Sequence, residues 1–319
     1  MTRRAGVLVN PSSGRGNGKG RALAEHVKAH DGVTFRMLED FSRLSPYLFE
    51  MAQDGVTDLF ISSGDGTVQA VQSLLAERKM FQTLPQLCIL PHGTTNLTAT
   101  DIGFKTRNIA SQAAFIKSLP GAKTVLRPTL RVLNAREGGI RHGMTLGAGA
   151  GATATRYAQT AFNDKGVKGN FASFSTFASA LAKAAFLKAN PDDAARLDRP
   201  YAMRISSGGD VKIDGPQVMF LATTLDKLFF HTKPFWGGKA GAIRATAFPY
   251  PVPNVFRWLV PMMYGGENRK VPTGAVSFSS DAFEIICPAT YVMDGEFFEG
   301  PVSGPLRVEA GPNFEFIVG

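Results

Sequence analysis

The sequence predicts an α/β domain with a parallel sheet, followed by a mostly β domain of antiparallel sandwich type. Three observations predict it. Residues 1–120 alternate short β-branched runs with helix-patterned stretches, the pattern of strands covered by helices. After Pro120 and Pro128 the pattern changes to extended, near-alternating runs separated by Gly and Pro clusters, which is how antiparallel strands read. The length of 319 residues is about twice the roughly 150 that serve as a prior for one domain.

In the first half, strands are expected at Ala5–Val9, Val33–Leu38, Asp58–Ser62 and Leu87–Leu90. Between them, Gly18–His30 places Ala22, Leu23 and Val27 on one helical face, and Gly66–Lys79 does the same with Val68, Val71, Leu74 and Leu75. In the second half, strands are expected at Thr129–Leu133, Tyr201–Ser206, Val218–Thr223 and Phe283–Ile286. One helical stretch interrupts them, Phe171–Lys188, with Phe171, Phe174, Phe177, Ala178, Leu181 and Ala185 at three-to-four spacing. The FEFIV run near the C-terminus reads as a further strand. The domains are placed at 1–127 and 128–305, with the last strand within 306–319.

Composition excludes several classes. With 44% hydrophobic and 19% charged residues the chain can build cores. Cys88 and Cys287 lie in different apolar runs, so no disulfide framework is expected. His26, His30, His92, His142 and His231 have no paired spacing, which argues against zinc. No run approaches the 18 or so apolar residues of a membrane span, and MTRRAGVLVN is too short in apolar residues for a signal-peptide core. A cytoplasmic protein is expected. The net charge of +9 favours phosphates, nucleic acid or anionic membrane. No nucleic-acid-binding motif is present and the charge is not clustered in one run, so no nucleic-acid partner is expected.

Three turns carry the chemistry. Asn10-Pro11-Ser12-Ser13-Gly14 runs through Lys19 into a helix; Ser62-Ser63-Gly64-Asp65-Gly66-Thr67 joins strand to helix; Pro91-His92-Gly93-Thr94-Thr95-Asn96 follows LCIL. In a parallel sheet all three fall at the carboxyl edge, where helix N-termini and unpaired amides bind anions. Each alone also reads as a tight turn with an ordinary cap. A carboxylate between two glycines at a phosphate site makes sense if Mg²⁺ bridges it to phosphate or if it takes a proton from a hydroxyl. Neither G-x-x-x-x-G-K-[ST] nor G-x-G-x-x-G is present.

The trio NPSSG (Asn10–Gly14), SGDGT (Ser63–Thr67) and PHGTTNLTA (Pro91–Ala99), in that order, resembles the diacylglycerol kinase catalytic-domain family of lipid kinases. Tyr291–Glu296, YVMDGE, is similar to the family's late D-G-E motif, although Asp-Gly alone also reads as a hairpin turn. The S-G-D-G form, with Ser63 where many members have glycine, resembles the sphingosine kinase branch. Gly237–Pro253 is similar to a family segment but lacks the D-G-x-L-D run that usually follows, and Gly147–Tyr157 resembles another without its aspartate.

The resemblance implies a nucleotide-binding first domain completed by the C-terminal strand, a lipid-binding second domain, and ATP and Mg²⁺ as cofactors. Ser63, Gly64, Gly66 and Thr67 are then expected to cradle the phosphates, with Asn10, Ser13, Gly14, Gly93, Thr94 and Asn96 lining the nucleotide site and Lys19 as a phosphate partner. Asp65, Asp294 and Glu296 are the catalytic candidates, with Asp65 and Asp294 as the Mg²⁺ ligands; which carboxylate is base and which holds metal stays open. The acceptor is expected to be diacylglycerol, a sphingoid base or a ceramide, reached transiently at the anionic inner face of the membrane. Alternatives are an NAD kinase-like enzyme and a non-catalytic lipid-binding protein on a kinase fold. Lys227–Trp236 and Val255–Tyr264 mix aromatic and basic residues; they read either as core or as an interfacial patch, and Phe171–Lys188 faces the same choice.

Overall fold

The computed structural model describes residues 3–94, 96–102, 106, 108–136, 138–153, 155, 199–252, 255–287 and 290–318. The predicted helix Phe171–Lys188 lies outside them. The chain divides into two compact units, 1–129 with 312–319, and 130–311.

In the first unit β1 (Ala5–Val9), β2 (Val33–Met37), β3 (Asp58–Ser63) and β4 (Gln86–Pro91) are all parallel, in the order β4-β3-β1-β2. Residues of the last strand pair beside β4, also in parallel, at Phe316↔Leu87. Helices α1 (Ser13–Gly16), α2 (Lys19–Val27), α3 (Leu44–Gln53), α4 (Asp65–Arg78), α5 (Leu97–Ile102) and α6 (Ile109–Ser118) connect the strands. Alternation along β1 sorts its side chains by face. Ala5, Val7 and Val9 join Leu23 and Val27 of α2, Ala113 and Ile116 of α6, Phe60, Leu90 and Ile317 in one buried cluster. A Cβ at Gly6, on the opposite face, would meet Val56 at 2.7 Å and Met51 at 3.4 Å. Both faces of the sheet are therefore packed, as the near-continuous apolar strands require. Arg3 and Asp58 form an ion pair at the amino-terminal end of this sheet, and the Thr57 hydroxyl donates to the same carboxylate at 2.6 Å.

The chain enters the second unit within β5 (Lys123–Val132). There β6 (Arg141–Gly143), β7 (Thr145–Gly149), β8 (Tyr201–Ser207), β9 (Asp210–Thr223), β10 (Ile243–Pro249), β11 (Val276–Ser280), β12 (Ala282–Ile286), β13 (Thr290–Met293) and β14 (Glu296–Glu299) pair antiparallel. One helix, α7 (Val255–Tyr264), lies among them. Strand β9 changes partners midway: Asp210–Gln217 pairs with β8, while Met219–Thr223 runs between β7 and β10. That exchange brings strands from both sides around one core, in which Phe220 meets Phe283 edge-on at 5.4 Å beside Ile205, Leu146 and Tyr291. The final strand, β15 (Leu306–Val318), pairs with β12 up to Glu309, and from Pro312 the chain belongs to the first unit again.

Candidate functional site

Parallel register puts the ends of three strands level, because Val9 lies beside Ser62 and Ser63 beside Pro91. The three glycine turns start from that edge. The Asn10 amide donates to Ser62 O at 3.0 Å, extending the ladder one residue past β1. Its side chain works in two directions: Oδ1 accepts the Ser12 amide at 3.0 Å, and Nδ2 donates to the Thr67 hydroxyl at 3.0 Å. Asn10 thus ties the first turn to the first turn of α4.

Backbone contact locks the turns together. A Cβ at Gly93 would collide with Gly64 Cα and lie 2.9 Å from Gly64 N; a Cβ at Gly64 would lie 3.4 Å from both Gly93 Cα and Ser13 Oγ. Glycine at position 93 is what allows that approach. Gly14, at φ +57°, has the same need, since its Cβ would strike His92 O and the Asn17 amide. Asn17 donates to His92 O at 3.0 Å and accepts the Lys19 amide at 3.0 Å, so it joins the third turn to the start of α2. Asn96, at φ +49°, closes the third turn on itself: Nδ2 donates to Gly93 O and Oδ1 accepts the Gly93 amide, both at 2.8 Å.

Asp65 is buried at the first position of α4. Its Oδ2 accepts the Leu97 amide at 3.0 Å and its Oδ1 the Thr98 amide at 3.4 Å, capping α5 from a different segment of the chain. Gly64, the N-cap of the 14-residue helix α4, has no side chain to cap it, so that N-terminus has the polarity of an anion site. Ser63 is buried and its hydroxyl donates to Gly64 O at 3.0 Å. Gly66 and Thr67 form the first turn of α4, Thr94 is half-buried in the third turn, and Lys19 is exposed at the start of α2.

Sequence reasoning missed the group that underlies the third turn. His92 is buried; its Nδ1 lies 2.8 Å from Ser62 Oγ and its Nε2 3.0 Å from Gln112 Oε1, while Gln112 Nε2 donates to Thr106 O at 2.8 Å. With Oε1 the acceptor, Nε2 carries the proton and Nδ1 accepts from Ser62. Burial pushes the His92 pKa down to about 4, the bond to Gln112 opposes this, and the nearby Lys19 charge adds to it. The imidazole is neutral at pH 7. No local spacing signals this relay, because Ser62 and Gln112 stand 30 and 20 residues away.

The other two candidate carboxylates belong to the second unit. Asp294 and Gly295, at φ +49° and +87°, form the two-residue turn between β13 and β14, a hairpin geometry that Asp-Gly favours. The Asp294 carboxylate accepts the Met144 amide at 2.9 Å, the Thr145 amide at 2.8 Å and the Thr145 hydroxyl at 2.9 Å. It pins the hairpin to the start of β7. Glu296, the first residue of β14, is exposed. Met144 and Thr145 carry no sequence signal for this role.

Among the described residues no group of three or more His, Cys, Asp or Glu gathers to hold a metal. Mg²⁺ at a phosphate site needs less, one or two carboxylates with waters and the phosphates themselves. Asp65 fits that demand in kind, as a carboxylate beside the start of α4.

The turns and helix starts of the first unit lie within one matched segment. Residues 4–125 match the family model of the diacylglycerol kinase catalytic domain. The diacylglycerol kinase match runs from the residue before β1 into β5 and contains every first-unit candidate from Asn10 to Asn96. Over 115 residues the chain is 32% identical to the protein named "Probable lipid kinase YegS-like" from Stenotrophomonas maltophilia, covering 36% of this chain and about a third, 34%, of that protein. Two Bacillus anthracis structures share the fold. One, described as a candidate diacylglycerol kinase, superposes with a TM-score of 0.67, and a second diacylglycerol kinase structure with 0.64. In both cases 99% of this chain and 97% of the other are covered at 16% identity. The parallel first unit and the antiparallel second agree with the predicted fold class, and the first unit matches the diacylglycerol kinase catalytic-domain model.

Proposed function

We propose that the protein is an ATP-dependent lipid kinase that transfers the γ-phosphate to a hydroxyl of a membrane lipid. One observation carries this reading: within the diacylglycerol kinase match, three turns close-packed on glycine backbones surround the uncapped N-terminus of α4. Glycine faces let a polyphosphate approach the amides of Gly64–Thr67, and the helix start favours its charge. Lys19 adds a cation, Asn10 and Thr67 hold the two sides together, and Ser13, Gly14, Gly93, Thr94 and Asn96 shape the wall. Asp65 would hold Mg²⁺, which supplies charge neutralisation on the transferring phosphoryl group when bound.

The proton of the acceptor hydroxyl needs a base. Asp294 and Asp65 both hold backbone amides of neighbouring segments. Glu296 is exposed, open to an incoming hydroxyl, and is the candidate base, with Asp294 fixing the hairpin that carries it. The acceptor is diacylglycerol, a sphingoid base or a ceramide, met at the inner face of the membrane by a cytoplasmic enzyme. The test is phosphoryl transfer from labelled ATP, with Mg²⁺, onto diacylglycerol, sphingosine, ceramide and NAD in mixed micelles. Product on one lipid that disappears in Glu296→Gln and Asp65→Asn supports the proposal. Turnover of NAD alone, or product unaffected by both substitutions, refutes it.

A further inference from the structure

The two aromatic-basic segments could have been core or surface, and the structure divides them. Met262, Thr232 and Pro234 are buried, whereas Phe230, Val260 and Tyr264 are 49%, 65% and 58% exposed. Helical spacing explains the division: Arg257, Val260 and Tyr264 lie at i, i+3 and i+7 on one face of α7, all exposed, with Met262 turned inward.

The two segments form one surface. The Lys233 amide donates to Met263 O at 2.7 Å, and the Tyr264 hydroxyl to Phe230 O at 3.3 Å. Arg269 binds them further, donating to Gly266 O and Lys233 O at 2.7 Å, to Phe235 O at 3.0 Å and to Met262 O, with its guanidinium 5.5 Å from the Trp236 ring centre. Burial pushes the Arg269 pKa down. A cation committed to four carbonyls is structural; the exposed lysines and arginines of 227–239 and 255–270 are Lys233, Lys239, Arg257 and Lys270. Glu267 is the one acidic residue in 227–239 and 255–270.

We propose that the face made by Arg257, Val260 and Tyr264 of α7 with Phe230 is a docking surface for an anionic lipid bilayer. Large apolar side chains held in solvent beside cations match a bilayer interface, where aromatic and aliphatic groups enter the headgroup boundary and each Lys or Arg is attracted by anionic lipid. A second copy is the poorer occupant, because a two-fold contact would oppose Arg257 and Lys233 to their own copies, and a few side chains fall short of a stable interface. The ten residues of α7 are also too few to span. The proposal deepens the lipid-kinase reading, naming where that enzyme meets its substrate's membrane.

The test is co-sedimentation of the full chain with phosphatidylcholine vesicles, with and without phosphatidylglycerol, for the parent, Arg257→Glu, the pair Val260→Asp with Tyr264→Ser, and Val302→Asp. Val302 is 85% exposed in the same unit but away from α7 in sequence, so it is the control. The expected result is binding to anionic vesicles only, weakened on the order of tenfold by Arg257→Glu and as strongly by the paired change, with Val302→Asp unaffected. Transfer to a soluble short-chain acceptor should persist in every variant. Equal binding by all four proteins, equal loss in the control, or a loss that tracks dissociation of a dimer in light scattering would overturn it. Patch-dependent binding without lipid phosphorylation would leave the docking surface standing and remove the kinase reading; phosphorylation with patch-independent binding would do the reverse.

Discussion

Replacing His92 with glutamine should flatten the acid side of the protein's stability profile. The folded pKa is about 4, below the usual value of about 6.5 for an unfolded histidine. As pH falls through 6.5 the unfolded chain takes up a proton that the folded chain refuses until about pH 4, so the histidine's contribution is full above 6.5 and lost by 4. At about 1.4 kcal/mol per pH unit, the parent loses about 2 kcal/mol from this group between pH 7 and 5, and about 3 kcal/mol by pH 4. His92→Gln keeps an uncharged donor and acceptor near Ser62 and Gln112 and removes the titration. Imperfect geometry should cost it about 1–2 kcal/mol at pH 7. The assay is urea unfolding at pH 7 and pH 5, followed by far-ultraviolet circular dichroism because both tryptophans, Trp236 and Trp258, lie in the second unit. The other four histidines are common to both proteins and cancel in the difference. If parent and variant lose the same stability between the two pH values, His92 is not the buried neutral group described here.

Four further substitutions separate structure from chemistry. Asp65→Asn should weaken the α5 cap by about 1 kcal/mol and lower phosphoryl transfer by about 100-fold or more while ATP titration shifts by less than about tenfold; a matching fall in ATP affinity would place Asp65 in nucleotide binding instead. Gly93→Ala drives a Cβ into the Gly64 backbone, and a thermal melt should register about 1–3 kcal/mol of destabilisation together with weaker nucleotide binding. Asp294→Ala leaves the Met144 and Thr145 amides without their acceptor and should cost about 2–4 kcal/mol, whereas exposed Glu296→Gln should change stability by less than about 0.5 kcal/mol and still abolish transfer. Equal stability effects of the two would contradict the division of labour between them.

Much of the first unit was legible in the sequence because parallel strands buried on both faces must be apolar throughout, and Ala5–Val9 and Asp58–Ser62 read as such. Helix α3 was missed: Pro46 looks like a breaker, yet it sits in the first turn, where no amide is needed. The expected strand Val218–Thr223 is the second half of β9, which continues back through Gly215 and Pro216 to Asp210. Punctuation marked a change of pairing partner there rather than an end. Within the site, glycines and asparagines announced turns, but which turn touches which depends on register between strands, and that is invisible along the chain. His92, the relay joining β3, β4's turn and α6, was a scattered histidine until Ser62 and Gln112 came beside it.

The carboxylate of Asp65 shows how one residue can answer to two demands. From the sequence, an acid between two glycines at an anion site calls for a metal or a proton acceptor, since charge repulsion otherwise disfavours it. In the structure a second reason stands beside the first: the same carboxylate caps α5, holding the chain beyond the third turn against the start of α4. The two demands fall on the same two oxygens. They differ in what they require of charge. Capping needs oxygen acceptors, of which asparagine keeps one for the Leu97 amide and loses the longer bond to Thr98, whereas phosphoryl transfer needs the negative charge itself. The amide variant is therefore the informative one, and alanine, which removes both, would leave a collapsed turn indistinguishable from a lost catalyst.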